Sequence, residues 1–407
     1  MNTQINSYPE QLSTIPWYGK AVLTLLEHLQ VGRLKVICPD GEVIFFESND
    51  IHIEASIHIK DWRVCKNTLQ SGDIGFAEAY LDGLWESDDI ESLLSIFLLN
   101  RHIMEKAIYG TWWGQLTYRV KHWLHKNSKS GSKKNIHAHY DLGNHFYSLW
   151  LDPSMTYSSA YYEHQDASLL EAQIAKYQKI IKSIGASPSD KILEIGCGWG
   201  GLMEEASKQG IDIDCLTIST EQAQYATQRA ESLNFPNKGI VNISLQDYRD
   251  HNQQYDGIAS IEMFEAVGQA YWPSYFKMIQ RCLKPGKKAC IQTIVIADEL
   301  FDKYSKSSDF IQQYVFPGGM LPSLHKFCEA AKKEGLVIES IDRFGQDYKR
   351  TLRLWHQKFN EKIPEIKALG FDERFIRLWN LYLTYCAAGF AQKSTDVVQV
   401  TLLNPHT

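Results

Sequence analysis

Apolar and polar positions along the second half of the chain predict an α/β fold. Short apolar runs typical of buried strands alternate there with longer stretches of helix-forming residues. The predicted strands cover residues 191–195, 211–218, 240–245, 255–261 and 288–295, and the predicted helices cover 169–184 and 271–283 and begin at 202 and 221. Strand–helix pairs repeated at this spacing predict a doubly wound parallel sheet with helices on both faces. Ligands of such sheets bind at the carboxyl ends of the strands.

The first part of the chain predicts a separate, small α+β module. Residues 34–37 and 42–46 are apolar runs joined by a segment with an Asp-Gly pair, which is typical of hairpin turns. Residues 51–59 alternate as a third strand. Residues 72–85 predict a helix, most simply a core helix that ends at Gly83 as its C-cap.

A basic and aromatic segment follows this module. No acidic residue occurs from position 106 to position 140, where basic residues are interleaved with tryptophans and tyrosines. This pattern favours an amphipathic segment on an anionic bilayer surface, with contacts from Lys121, Lys126, Lys133 and Lys134. The alternative is a solvated helix face followed by a flexible linker, because residues 127–132 are loop-like. We divide the chain into a lipid-associated N-terminal domain, a flexible basic linker and a second domain, at residues 1–126, 127–138 and 139–407.

Composition narrows the class of protein. The 407 residues carry a formal net charge of −6, which argues against general nucleic-acid binding. Eight cysteines occur without a CxxC pair or a histidine-rich pattern, so we expect reduced thiols, a cytosolic protein and no metal site. Residues 1–19 lack the order of a signal peptide, and no apolar run approaches the roughly 18 residues that a membrane span requires.

The strand at 191–195 ends in a glycine-rich turn that predicts a ligand site. Gly196, Gly198 and Gly200 are spaced G-x-G-x-G, and helix-forming residues follow directly. Glycines expose bare backbone at a helix N-terminus, although the same order also occurs in a plain α/β crossover. The turn lacks the Lys-Ser/Thr of a P-loop, and Glu194 within the strand would repel a pyrophosphate. A cationic ligand such as S-adenosylmethionine, with its sulfonium and amine, suits this charge better.

Acidic residues after two further strands support the same ligand. Asp247 follows the strand at 240–245 and is a candidate acceptor for an adenine amine. Glu262 and Glu265 follow the strand at 255–261, so two carboxylates are expected at the same edge of the sheet. Each feature alone is more often structural than functional. Their order and spacing together predict a methyltransferase.

In these details the chain resembles the cyclopropane-fatty-acid synthase family, S-adenosylmethionine-dependent enzymes that act on unsaturated acyl chains. The matching motifs lie at residues 139–144, 157–158, 193–201, 216–219 with Gln222, 263–265, 314–319, and 344–345 with Tyr348. They cover residues 135–400, and residues 72–85 resemble the extra N-terminal domain of bacterial members. The resemblance implies a Rossmann-like class I methyltransferase domain with helical insertions, and a homodimer.

The resemblance also implies the residues of the site. Those expected to hold S-adenosylmethionine are Tyr157, Ser158, Glu194, Gly196, Gly198, Gly200, Thr217, Ile218, Gln222, Asp247, Tyr248 and Ile261. The family's catalytic base is attributed to a bicarbonate ion, and the positions that match its ligands are Ser159, Glu265, Gln292, Ile294 and Tyr348. Family members have cysteine at position 159, histidine at 292 and histidine at 266, which is alanine here. Serine and glutamine both hydrogen-bond anions, so bicarbonate binding is compatible with these changes.

The expected reaction is methyl or methylene transfer to an acyl double bond. The π electrons of the alkene attack the sulfonium methyl, and a base then removes a proton from the resulting cation to leave a ring or an open, branched chain. Loss of the histidine at position 292 removes a titratable group, so we favour an open product. Candidates to surround the cation are Tyr314, Phe316, Tyr348 and Tyr385. The expected substrate is an unsaturated membrane phospholipid, met on the inner face of the cytoplasmic membrane.

Two other functions stay open on the sequence. A small-molecule N-methyltransferase of the same superfamily would need a polar pocket for an amine, and a non-catalytic lipid-binding homologue would keep the fold without the chemistry. The aromatic stretch at 379–390 favours an apolar acyl tunnel, although an ordinary core helix has the same composition. The intact glycine turn, Gln222 and Glu265 favour an active enzyme.

Overall fold

The computed structural model describes residues 15–104 and 142–405. Three predicted features lie outside these residues: the four lysines proposed as bilayer contacts, the linker at 127–138 and the first three residues of the motif at 139–144. Within the described residues, no helix combines the length and apolarity needed to cross a bilayer.

The N-terminal part of the chain forms a four-stranded sheet covered by helices. Its strands are β1 (Val31–Ile37), β2 (Val43–Glu47), β3 (Asp50–Ile59) and β4 (Trp85–Glu86), in the order β2-β1-β3-β4. Its helices are α1 (Trp17–Leu26), α2 (Arg63–Leu81) and α3 (Ile90–Leu99). The predicted hairpin is confirmed, because β1 and β2 pair in antiparallel register from Arg33 opposite Glu47 to Ile37 opposite Val43. The predicted third strand is confirmed as β3, which runs parallel to β1.

Helix α2 differs at its start from the helix predicted over 72–85. It begins at Arg63, and Gly72 interrupts it with φ of 65° and ψ of −137°, a conformation that glycine adopts readily. Its end follows the prediction: Gly83 has φ of 74°, and the Leu84 N–H donates to the Ala79 carbonyl at 2.9 Å.

A seven-stranded sheet forms the larger part of the molecule. Its strands are β5 (Lys191–Ile195), β6 (Asp212–Thr217), β7 (Val241–Leu245), β8 (Tyr255–Ile261), β9 (Leu283–Ile296), β10 (Val337–Arg343) and β11 (Thr395–Leu403), in the order β10-β11-β9-β8-β5-β6-β7. Each of the five predicted strands is present, within a few residues of its predicted bounds.

The five predicted strands run parallel, as expected, and two further strands extend the sheet at one edge. Strands β7, β6, β5, β8 and β9 run parallel, but β11 inserts between β9 and β10 antiparallel to both. Neither β10 nor β11 was predicted. Buried polar residues, Gln399 and Thr401, interrupt the apolar pattern of β11, and β10 is largely exposed.

Helices cover both faces of this sheet, as predicted. They are α4 (Asn144–Ser148), α5 (Leu169–Ile184), α6 (Gly201–Lys208), α7 (Thr220–Ser232), α8 (Trp272–Cys282), α9 (Asp298–Tyr304), α10 (Phe310–Tyr314), α11 (Leu324–Lys333), α12 (Gly345–Glu361), α13 (Ile363–Ala368) and α14 (Glu373–Ala391). Successive residues of β5 enter different cores: Ile192 packs in the cluster that contains Ile180 of α5, and Leu193 in the one that contains Ile279 of α8.

The two sheets share a third core. Buried side chains of α3, such as Leu93 and Ile96, belong to the same cluster as Trp379 and Leu383 of α14. Polar contacts reinforce this packing, since the Arg377 guanidinium donates to the carbonyls of Tyr80 and Trp85 at 2.7 and 3.1 Å. The N-terminal sheet is therefore held directly beside the insertions of the larger one.

Candidate active site

The glycine turn after β5 leaves open space above its backbone. Gly196, Gly198 and Gly200 have φ of 80°, 52° and 84°, all in the left-handed region. The N–H groups of Gly196 and Cys197 donate to the Leu216 carbonyl at 2.9 and 3.1 Å, which ties the turn to β6. A Cβ at Gly196 would lie 2.9 Å from Met263 Cγ, whereas a Cβ at Gly198 would meet nothing within 4 Å. The turn thus presents bare backbone with room for a ligand.

Two opposite buried charges lie next to this turn. Glu194 is 2% exposed, and burial raises the pKa of its carboxyl to about 8, although the nearby cations of Lys176 and Arg229 act in the opposite direction. Lys176 of α5 is fully buried, and its Nζ donates to Ser158 Oγ at 2.7 Å. Burial lowers the pKa of Lys176 to about 7, opposed by the carboxylates of Glu262, Asp152 and Glu194. Lys176 was not identified from the sequence. It lies four residues before Ile180, so helical spacing places it on the buried face of α5, which could have marked it as a buried lysine.

Most of the residues predicted to hold S-adenosylmethionine line one cavity. Those on its surface are Tyr157, Ser158, Glu194, Gly196, Gly198, Thr217, Ile218, Gln222, Asp247, Tyr248 and Ile261. Gly200 is not among the lining residues; it is the N-cap residue of α6, and a Cβ there would lie 2.5 Å from Met203 Cε.

Several of these polar side chains are held in place by neighbours. Thr217 Oγ1 donates to Gln222 Oε1 at 3.1 Å, next to the glycine turn. Both carboxylate oxygens of Asp247 accept from the Arg249 guanidinium, at 2.8 and 2.6 Å, so this carboxylate is engaged within its own loop. Burial raises the pKa of the neighbouring Tyr248 to about 12.

Glu262 forms the centre of the predicted catalytic group. It follows β8, has φ of 49° and is enclosed by protein. Its Oε1 accepts from the Ser159 N–H and from Gln292 Nε2, both at 2.8 Å, and its Oε2 accepts from the Tyr348 hydroxyl at 2.7 Å. The sequence placed Glu262 at this sheet edge but gave it no role. Its signal was a carboxylate directly after a buried strand.

Glu265 lies one short turn further on and contacts different partners. Its Oε1 accepts from the Ile294 N–H and, at 3.0 Å, from the Thr293 hydroxyl, while its Oε2 is buried with no hydrogen-bond partner among the described residues. Burial, with the adjacent charge of Glu262, raises the pKa of the Glu265 carboxyl to about 8. Both carboxyls line the cavity, whereas Ser159 and Gln292 lie behind Glu262.

These contacts do not fit a bound bicarbonate ion. The donors that the resemblance assigns to bicarbonate, from Ser159, Gln292 and Tyr348, all point at the Glu262 carboxylate. The remaining donor, the Ile294 N–H, is taken by Glu265. A bicarbonate in this place would have to displace a buried side chain of the protein.

The cavity continues from the polar end into apolar space between the two sheets. Its volume is about 510 Å³, and its walls include Val36, Ile57 and Phe97 from the N-terminal part. The stretch at 379–390 combines the two interpretations offered for it, a tunnel wall and a core helix. Tyr382 and Tyr385 line the cavity, while other residues of α14 pack in the core.

The aromatic residues predicted to surround a cation do not all reach the cavity. Phe316, Tyr348 and Tyr385 are on its walls, whereas Tyr314 is not among the lining residues and donates its hydroxyl to Glu78. The Tyr385 hydroxyl donates to Asp73 of α2 at 3.2 Å. These two tyrosine contacts therefore link α10 and α14, which pack with the larger sheet, to α2 of the N-terminal part.

Comparisons with known proteins agree with this architecture. A family model described as mycolic acid cyclopropane synthetase matches residues 127–400. The tuberculostearic acid methyltransferase UfaA1 of Mycobacterium tuberculosis is 35% identical over 341 residues, 82% of this chain and 79% of that protein. The cyclopropane-fatty-acyl-phospholipid synthase of Escherichia coli (strain K12) is 36% identical over 352 residues, 85% of this chain and 87% of that protein. The solved structure of mycolic acid cyclopropane synthase CmaA1 complexed with SAH and CTAB has a TM-score of 0.62 and 31% identity, covering 66% of this chain and 97% of that one.

Proposed function

Because the chain belongs to the mycolic acid cyclopropane synthetase family, we propose that it transfers a methyl or methylene group from S-adenosylmethionine to the double bond of an unsaturated phospholipid acyl chain. The product is a methyl- or methylene-branched or a cyclopropane fatty acid. The observation that carries the proposal is one cavity that joins the glycine turn, two buried carboxyls and apolar walls from both sheets.

The polar end of the cavity fits S-adenosylmethionine. The open space above Gly198 admits a ligand against bare backbone, and Glu194 offers a buried carboxyl to a cation. A positively charged ligand favours the ionised form of such a carboxyl, so ionisation of Glu194 and binding of the cofactor support each other. Thr217 and Gln222, held together by their hydrogen bond, are proposed to contact the same molecule.

The apolar end fits a hydrocarbon chain and the cation formed on it. Bound S-adenosylmethionine supplies an electrophilic methyl group, which the alkene takes up to leave a positive charge on the neighbouring carbon. Apolar walls keep out water, which would otherwise add to that carbon. The rings of Phe316 and Tyr348 and the carboxyl of Glu265 provide π-rich and negative surroundings that stabilise the charge. A positive charge nearby favours the ionised form of the Glu265 carboxyl, whose pKa burial raises to about 8.

We expect purified protein to transfer label from methyl-labelled S-adenosylmethionine into the acyl chains of vesicles made from cis-unsaturated phospholipid. Vesicles with the same head group and saturated chains should take up none, because they lack the nucleophilic double bond. Scintillation counting of released fatty acids measures transfer, and upfield ring protons in NMR separate a cyclopropane from an open product. Label found on an amine instead would identify an N-methyltransferase and contradict the proposal.

We further propose that the protein works as a homodimer at the inner face of the cytoplasmic membrane, bound through its basic segment. Replacing Lys121, Lys126, Lys133 and Lys134 together by Gln should weaken binding to anionic vesicles about tenfold or more, because each surface lysine contributes up to about 1 kcal/mol. Co-sedimentation with vesicles measures the change, and analytical ultracentrifugation tests the dimer.

A matched control removes the same charge from another surface. Four of the lysines exposed in the described part of the chain serve for this purpose: Lys182, Lys277, Lys306 and Lys332. Their combined replacement by Gln should leave vesicle binding nearly unchanged. Equal loss in both quadruple variants would mean that net charge, and not the basic segment, attracts the membrane.

A further inference from the structure

A strained and partly buried glutamate lines the wall of the cavity. Glu262 has φ of 49°, in the left-handed region, where a non-glycine residue is strained. Such conformations persist where surrounding contacts fix them, and they concentrate at functional sites. Here the backbone is held by the Glu262 N–H, which donates to the Gln292 carbonyl at 2.8 Å. The side chain is therefore fixed at one place, facing the cavity.

Three donors from distant parts of the chain converge on this carboxylate. They are the Ser159 N–H, the Gln292 side-chain amide and the Tyr348 hydroxyl. The family resemblance expects the same three residues around a bicarbonate ion. A glutamate carboxylate has the planar O–C–O group of bicarbonate and offers the same acceptors to these donors. The side chain thus occupies the position expected for the ion.

We propose that Glu262 is the general base of the reaction, so that this enzyme works without bicarbonate. The proposal rests on the alkylation of an acyl double bond proposed above. In that reaction a carbon–carbon bond forms to the methyl group and its bond to sulfur breaks, which leaves a neutral thioether and a cation on the acyl chain. Glu262 then removes a proton, and the electrons of the broken C–H bond close a ring or form a new double bond. The proton passes from the carboxyl to solvent as the product leaves.

The surroundings of Glu262 suit a base better than a purely structural anchor. A carboxylate offers about four acceptor positions. Three described donors contact that of Glu262, which leaves one acceptor position in a residue that lines the cavity. Burial raises the pKa of Glu262, while Tyr348, Gln292, Lys176 and Ser159 act in the opposite direction. The carboxylate is therefore more basic than an exposed glutamate but still stabilised as an anion.

Two substitutions of Glu262 distinguish the effect of losing its negative charge from the effect of losing its side-chain volume. In Glu262→Gln an amide fills the same volume without a basic carboxylate. In Glu262→Gly the volume is vacated, and glycine accepts the left-handed backbone without strain. Both variants should bind S-adenosylmethionine with nearly wild-type affinity in calorimetry, because Glu262 is not among the groups proposed to hold it.

We expect the wild-type enzyme to methylate unsaturated phospholipid equally well in bicarbonate-free buffer and with added bicarbonate. Each variant should lose about a hundredfold in turnover, the usual contribution of a general base. Added bicarbonate should restore much of the activity of Glu262→Gly and none of that of Glu262→Gln, with sodium chloride as the control for ionic strength.

Three results would overturn the proposal while leaving the proposed function intact. They are a wild-type enzyme that requires bicarbonate, a Glu262→Gln variant with wild-type turnover, and a Glu262→Gly variant that binds S-adenosylmethionine but is not rescued by bicarbonate. If Glu262→Gly does not fold, the first two measurements still decide. Failure of the proposed function looks different, because the wild-type enzyme itself would then transfer no label to any acyl chain.

Discussion

Replacing Gly198 by asparagine is expected to lower the affinity for S-adenosylmethionine about a hundredfold, or about 2.7 kcal/mol, with the fold retained. Gly198 has φ of 52°, and the space where a Cβ would point contains no other atom of the described residues within 4 Å. Asparagine tolerates the left-handed region better than most residues, so the turn can keep its shape. The new side chain would occupy the space that the ligand needs. Isothermal titration calorimetry measures the affinity, and the melting temperature reports the fold.

Gly335→Asn is the matched control for this variant. Gly335 has φ of 84°, and a Cβ there also meets nothing within 4 Å, but it follows α11 on the surface and does not line the cavity. It should bind S-adenosylmethionine like the wild type and show a similar small change in melting temperature. If Gly198→Asn bound the ligand as tightly as this control does, the ligand would not lie on the glycine turn.

Replacing Glu265 by glutamine is expected to reduce turnover about a hundredfold, a typical effect of removing one preorganised electrostatic group. The amide oxygen of glutamine can still accept from the Ile294 N–H and the Thr293 hydroxyl, as Glu265 Oε1 does. Its neutral NH₂ group then takes the place of Oε2, which has no hydrogen-bond partner among the described residues. The variant should therefore fold normally and lack a carboxyl that can ionise when a cation forms near it. Steady-state assay with unsaturated phospholipid measures the loss.

The same substitution should change how stability depends on pH. Burial raises the pKa of Glu265 from its ordinary value of 4.5 to about 8, so the folded protein holds this proton over a range in which the unfolded chain has released it. The stability that this proton linkage contributes is fully present below pH 4.5 and is lost as pH rises through about 8. Because glutamine does not titrate, Glu265→Gln should gain on the order of 2 kcal/mol relative to wild type between pH 5 and pH 8. Urea unfolding at both pH values measures the difference.

Glu329→Gln serves as the control for this pH effect. Glu329 lies on the surface of α11, where hydrogen bonds from Lys333 and Lys326 lower the pKa of its carboxyl to about 2. Its stabilising contribution is present above pH 4.5 and is lost only as the pH falls toward 2. The stability difference from wild type should therefore stay constant between pH 5 and pH 8. A constant difference for Glu265→Gln as well would show that Glu265 keeps an ordinary pKa.

Lys176 links the two halves of the active site electrostatically. It is buried, and the carboxylates of Glu262 and Glu194 both favour its charged form. One carboxylate lies beside the proposed cofactor turn, and the other is the proposed base. Against the effect of burial, the Lys176 ammonium in turn lowers the pKa of both carboxyls and so favours their ionised forms. Its hydrogen bond to Ser158 fixes the loop that also carries Ser159.

Local patterns were sufficient for the cofactor end of the site. β5, the three glycines and α6 are contiguous from Lys191 to Lys208, so strand periodicity and turn chemistry identify them without any knowledge of packing. Gly83 at the end of α2 was predictable for the same reason, because a helix end is defined by neighbouring residues.

Structure that depends on contacts between distant segments of the chain could not be predicted from the sequence. Strand β11 pairs with β9 through residues 99 to 115 positions apart, from Thr395 opposite Ile296 to Leu403 opposite Lys288 in the antiparallel register. Its insertion depends on which strand edge remains open after the parallel strands have assembled. No local pattern carries that information, so the antiparallel pair β10 and β11 was not predicted.

The amino-acid sequence was enough to establish the α/β class, the glycine turn and the chemistry expected from the family motifs. It could not establish which carboxylate meets the donors of the catalytic group. Ser159, Gln292 and Tyr348 lie 103, 30 and 86 positions from Glu262, and folding brings all three within hydrogen-bond distance of it. Buried donors must find acceptors, and the acceptor nearest in space is chosen by packing and not by spacing along the chain. For that reason, the sequence suggested a bicarbonate ion at the place where the folded protein holds its own glutamate.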